Sequence, residues 1–196
     1  MQQVFNSLDL NPPVGTDLIQ WDRLRLKTDE HTTEQGSEDF QKQLGLFLAR
    51  EGGGRATIMG PNGAGKSVLK RSIKESWSQR AFYLPADGDL YFETLSRRNF
   101  SSGEKILEVL NYLDHIDEPF VQLILLDEWD ANLDAENLLV ADKYVNSLST
   151  KYKILETRHR TVDRNPVHDP VNGLKNTNQD NISHPIVDKN ESLLYL

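Results

Sequence analysis

Gly60-Pro61-Asn62-Gly63-Ala64-Gly65-Lys66-Ser67 has the spacing G-x-x-x-x-G-K-[ST] and stands between an apolar run and an amphipathic segment. Residues 55–59 read as a short buried strand carrying Ala56, Thr57, Ile58 and Met59. Residues 68–78 read as a helix with Leu69, Ile73 and Trp77 four apart on one face. A strand, a glycine loop and a helix start put backbone N–H groups and the positive end of a helix dipole around one phosphate. Gly60, Pro61, Asn62, Gly63, Ala64 and Gly65, with the helix start at Val68, are the expected cradle. Lys66 would reach the β and γ phosphates, and the Ser67 hydroxyl would ligate magnesium. The chain therefore reads as one that binds a nucleoside triphosphate.

Outward from this loop, strand and helix patterns alternate. Residues 18–27 (Leu18, Trp21, Leu24, Leu26) and 43–50 (Leu44, Leu46, Leu48) alternate as strands do, separated by a polar loop over 28–39. Residues 81–84 form a short strand closed by Pro85. Residues 102–114 carry a helical stripe of Ile106, Leu107, Val109, Leu110 and Leu113. The most apolar run, 121–126, suits a central parallel strand covered on both faces. A helix is expected over 135–148 and a last strand over 152–156. This order predicts an α/β domain with a mostly parallel sheet flanked by helices and an N-terminal antiparallel β portion. Residues 1–161 would form the nucleotide-binding domain. Residues 162–196, rich in Asn, Asp and Pro, read as a polar tail.

A chain of 196 residues suffices for one such domain. Its formal charge of −8 disfavours nucleic acid as a partner. With no cysteine, thiolate metal sites and thiol nucleophiles are excluded. The first residues lack the basic and apolar blocks of a secretion signal, and no run approaches the length of a membrane span.

Two further segments carry chemistry. The 123–126 strand ends in Asp127-Glu128, where Asp127 would hold magnesium, directly or through water, and Glu128 would polarise an attacking water. Phe100-Ser101-Ser102-Gly103-Glu104-Lys105 opens a helix whose N–H groups and hydroxyls could grip a second phosphate; taken alone, the segment reads better as a Ser–Glu helix cap.

The order of loop, Ser-Ser-Gly-Glu helix, Asp-Glu strand, Ala131-Asn132-Leu133-Asp134 and His159 resembles the ATP-binding cassette family across roughly residues 40–161, and with it the P-loop NTPase fold. The resemblance implies an ATP hydrolase using ATP and magnesium, working as a homodimer or heterodimer through its nucleotide sites. It makes Ser101, Ser102 and Gly103 part of a signature that meets the γ-phosphate held by the other subunit. Asp134 closes the loop that crosses between subunits, and His159 is the switch histidine. Trp21 is the candidate for stacking on adenine.

Residues 82–90 and 94–97 look like the glutamine-loop region of exporter-type cassettes, yet Ala86 stands where the family has glutamine. The helical subdomain that normally follows is shortened to a few residues. Ser102 replaces the third-position glycine, and Trp129-Asp130 replaces the usual Pro-Thr. The expectation is an energy-supplying subunit of a transporter with a separate transmembrane permease, cytoplasmic or peripheral at the inner face of a membrane. The alternatives are a soluble ATPase like those of chromosome maintenance or DNA repair, which would need coiled coils that no heptads here supply, and a nucleotide-gated regulatory protein.

Overall fold

In the computed structural model, residues 16–29, 31–33, 36–86, 101–115 and 120–159 are described, all within the unit Met1–Val162. The expectations for 1–15, 87–100 and the 162–196 tail lie outside them, as do Phe100 and Arg160.

The strand before the glycine loop, β2 (Gly54–Met59), is the sheet's anchor. On one side it pairs antiparallel with β1 (Arg25–Thr28), and on the other it runs parallel to β5 (Lys153–Glu156). Then come β4 (Leu123–Leu126) and β3 (Ala81–Leu84), both parallel, giving the order β1-β2-β5-β4-β3. The protein is thus an α/β fold with a five-stranded, mostly parallel sheet.

Alternation along the central strands divides the core. Leu123, Leu125 and Leu155 pack with α1 (Ser37–Ala49) and α2 (Lys66–Trp77), through Phe40, Leu44, Leu69 and Ile73. Ile124, Leu126 and Ile154 face α3 (Ser102–His115) and α4 (Ala135–Lys151), through Ile106, Leu110, Val145 and Leu148. All four β4 side chains are fully buried; burial of this kind is worth about 1.5–3 kcal/mol per large aliphatic side chain.

Two expectations near the N-terminus are corrected. Residues 43–49 belong to the helix α1, with Arg50 as its C-cap, and do not form a strand. The buried positions are Phe40, Leu44, Phe47 and Leu48, at helical spacing, whereas Leu46 is exposed. Of residues 18–27, only the last few lie in a strand. Thr16–Leu18 and Trp21–Arg23 are 3₁₀ turns that fold Ile19, Trp21 and Leu24 inward. Among the described residues the antiparallel portion is therefore the edge strand β1, and α1 returns the chain to β2.

Candidate functional site

In open α/β sheets ligands sit beyond the carboxyl ends of the parallel strands, and here that edge holds a cavity of about 650 Å³. Asn62, Gly63, Gly65, Lys66, Ser67 and Val68 line it from the loop and the start of α2. Asp17, Leu18 and Gln20 line it from the N-terminal turns, and Glu128 from the end of β4.

Two of the loop's glycines are left-handed. Gly63 has φ 77° and Gly65 φ 87°, both in the left-handed region. At Gly65 a Cβ would also lie 2.8 Å from the Ile19 Cα, so the N-terminal segment can approach only because that atom is missing. Gln20 N–H then donates to the Ala64 carbonyl (3.1 Å), tying the segment to the loop. Gly65 is the N-cap of α2 and accepts no side-chain capping bond, which leaves the first-turn amides to address the cavity. Lys66 Nζ donates to the carbonyls of Gly60 (2.8 Å) and Pro61 (3.0 Å), so its ammonium lies along the loop.

The two carboxylates after β4 part company. Glu128 has φ 42°, a left-handed conformation costly for a side chain bearing a Cβ. This turn brings Glu128 to the cavity wall, and its N–H donates to Thr157 Oγ1 at 3.1 Å. Asp127 is buried behind the loop. Its Oδ1 accepts from Lys70 Nζ (2.5 Å) and Thr157 Oγ1 (2.9 Å), and its Oδ2 from the Tyr83 hydroxyl (2.8 Å). Lys70 Nζ also donates to the Leu126 carbonyl at 3.1 Å and to Thr157 Oγ1.

Burial pushes Lys70 down to about 8 against the pull of Asp127 and Glu128. Burial acts to raise Asp127, but the Lys70 ammonium beside it, with hydrogen bonds from Lys70, Ser67 and Tyr83, brings the carboxyl below its ordinary value. Burial, then the Asp127 charge, pushes Tyr83 up to about 12, so its hydroxyl stays a donor. The result is an ion pair at neutral pH.

Around Glu156 a second cluster forms. The carboxylate accepts from Arg55 Nε (3.1 Å) and Nη2 (2.9 Å), Thr57 Oγ1 (3.0 Å) and Trp129 Nε1 (3.0 Å). Arg55 reaches on to Asp142 (2.9 Å) and Asn146 (2.5 Å), and Arg158 pairs with Asp142 and lies over the Trp129 ring. Trp129 and Asp130 thus serve the interior, with Asp130 Oδ1 accepting from the His159 N–H at 2.7 Å.

The remaining sequence candidates do not line the cavity. Trp21, the candidate for stacking on adenine, lies in the core: its side chain is 7% exposed and packs against Phe40, with ring centroids 6.0 Å apart. Leu18 and Gln20 reach the cavity in its place. His159 is exposed.

Ser101 forms a capping box at the start of α3. Its N–H donates to Glu104 Oε2 (2.8 Å) and its Oγ accepts from the Glu104 N–H (3.3 Å), which lowers the Glu104 pKa. Ser102 is exposed. Gly103 is buried where a Cβ would lie 2.8 Å from the Asn132 carbonyl oxygen, so α3 packs tightly on the 131–134 loop. Asp134 caps α4, accepting from the Asn137 N–H at 2.7 Å.

The cavity offers the Ser67 hydroxyl with Asp127 behind it and Glu128 opposite. Among the described residues there is no cluster of three His, Cys, Asp or Glu. A sparse set of this kind suits a hard cation carried in largely by a nucleotide's own oxygens.

Lys70, Tyr83 and Thr157 were not read from the sequence as site residues. One signal was present, since Lys66, Lys70, Ile73 and Trp77 recur at 4-3-4 spacing, placing Lys70 on the inward stripe of α2. No family model matches this chain, and no curated protein matches it. Among the described residues no helix is long and apolar enough to cross a membrane.

Proposed function

We propose that this chain is a P-loop nucleotide-binding protein of the ATP-binding cassette type, which binds Mg-ATP at the cavity and hydrolyses it between two copies. The observation that carries this reading is the convergence of Gly63, Gly65, Lys66, Ser67 and Glu128 on one cavity at the carboxyl edge of the sheet. Main-chain amides at the start of α2 and the Lys66 ammonium would neutralise the triphosphate. Magnesium, held by Ser67 and backed by Asp127, would supply further charge when bound with the nucleotide. Glu128 would orient water toward the γ-phosphate. Ser101 and Gly103, beside the 131–134 loop, would present the signature face to a second copy, and His159 would join from the end of β5. A transmembrane permease is the partner class proposed, at the inner face of a membrane.

Glu128→Gln tests the hydrolytic part. This variant should keep ATP affinity and accumulate an ATP-stabilised dimer on size exclusion, while turnover falls by about 10²–10⁴, as for loss of a positioned base. Turnover at the parental rate would remove Glu128 from the mechanism.

A further inference from the structure

We propose that Lys70 is a built-in counter-ion of the phosphate site, which makes nucleotide binding by this chain only weakly dependent on magnesium. The inference rests on the nucleotide-binding reading above and concerns how charge is balanced there.

Lys70 lies one helical turn beyond Lys66 on α2, and its side chain is 0% exposed. An ammonium has three N–H donors. Here their acceptors are Asp127 Oδ1 at 2.5 Å, the Leu126 carbonyl at 3.1 Å and Thr157 Oγ1. Lys70 is therefore fixed to the ends of β4 and β5 and has no spare donor for a phosphate. Asp127 is equally committed, with Lys70 and Thr157 on one oxygen and Tyr83 on the other.

A bare carboxylate behind a phosphate cavity has two effects. It repels a metal-free triphosphate, and it rewards a divalent cation arriving with one. Both effects make the nucleotide and the metal bind cooperatively. At neutral pH the Lys70 ammonium, 2.5 Å from that carboxylate, offsets its charge, so both effects shrink together. Lys66 and Glu128, the other charges acting on Lys70, are of opposite sign and leave this balance in place.

The test is a set of ATP titrations by calorimetry, in excess Mg²⁺ and in EDTA, on the native chain and on Lys70→Met, which keeps the volume and removes the charge. Binding free energies are reciprocal, so the ratio of the two dissociation constants measures metal–nucleotide coupling, which typically spans about 5–150-fold. The native ratio should lie at the low end, within about fivefold, and that of Lys70→Met should rise by about tenfold or more. A residue that merely supported the fold would weaken both titrations alike and leave the ratio unchanged.

A native ratio near the upper end, or equal small ratios in both proteins, overturns the proposal while leaving nucleotide binding intact. If Lys70→Met does not fold, the native pair of titrations decides alone. Absence of ATP binding by the native chain in either condition removes the nucleotide reading and the proposal with it.

Discussion

Two polar clusters lie at the carboxyl edge of the same sheet, each with two cations and two carboxylates, and they are arranged for opposite ends. Around Glu156 the charges of Arg55, Arg158 and Asp142 turn toward one another, and Trp129, Thr57 and Asn146 complete their hydrogen bonds. Around Asp127 only half the set is closed. Lys70 and Asp127 pair in the interior, while Lys66 and Glu128 stand on the cavity wall. The same charge inventory thus yields a brace in one place and an open cavity wall in the other. Which it becomes depends on whether the turn after the strand buries the last carboxylate or swings it out, as φ 42° does at Glu128.

The contrast can be broken at the brace. Arg55→Met leaves Glu156 buried with much of its hydrogen-bonding lost, and breaking a buried pair in this way costs about 3–5 kcal/mol. Urea unfolding should show that loss as a lower midpoint; an unchanged midpoint would mean that the Glu156 cluster does not hold the fold. At the cavity the expectation inverts. Lys66→Ala should weaken ATP binding by about 2–5 kcal/mol, the usual penalty for removing one partner of a close charge pair. Its unfolding free energy should stay within about 0.5 kcal/mol of the parent's, as for a surface substitution. Unchanged ATP affinity in a titration would sever the glycine loop from phosphate binding.

The smallest effect sharpens the comparison through pH. Burial acts to raise the Asp142 pKa, but hydrogen bonds and charge from Arg158, then Arg55, bring it below its ordinary 3.8. The folded state therefore holds fewer protons than the unfolded one. The stabilisation is complete above pH 3.8 and is lost as pH falls through the lower folded value. Thermal unfolding at pH 7 and pH 3 should show a smaller acid-induced drop in Asp142→Asn than in the parent. Equal drops would place the acid sensitivity elsewhere.

Much of this architecture was legible because the central elements announce their periods. β2, β3, β4, β5 and helices α2, α3 and α4 lie within a few residues of where the apolar spacing puts them. The N-terminal region misled for a physical reason. Leu44, Leu46 and Leu48 alternate like a strand, but the residues that decide burial are Phe40 and Phe47, which complete a helical face once α1 packs on Trp21. The sequence does not place Trp21, because a large aromatic serves a core and a ligand equally well.

The octet and Glu128 stand out in the sequence by spacing, and the structure brings Gly63, Gly65, Lys66, Ser67 and Glu128 to one cavity. Lys70, Tyr83, Thr157 and Glu156 do not stand out. Their roles arise from strands far apart in the chain that meet only when β5 inserts between β2 and β4. Ser101, Gly103 and Asp134 also make capping and packing contacts within the chain, which the spacing of the motif does not reveal.

The missing side chain at Gly65 has a consequence for transplantation. Because the backbone of Ile19 presses into that gap, the octapeptide takes part of its shape from a stretch of chain more than forty positions upstream. Grafted onto another strand and helix, those eight residues would carry the motif without its far wall. The portable unit is the octapeptide together with its N-terminal clasp.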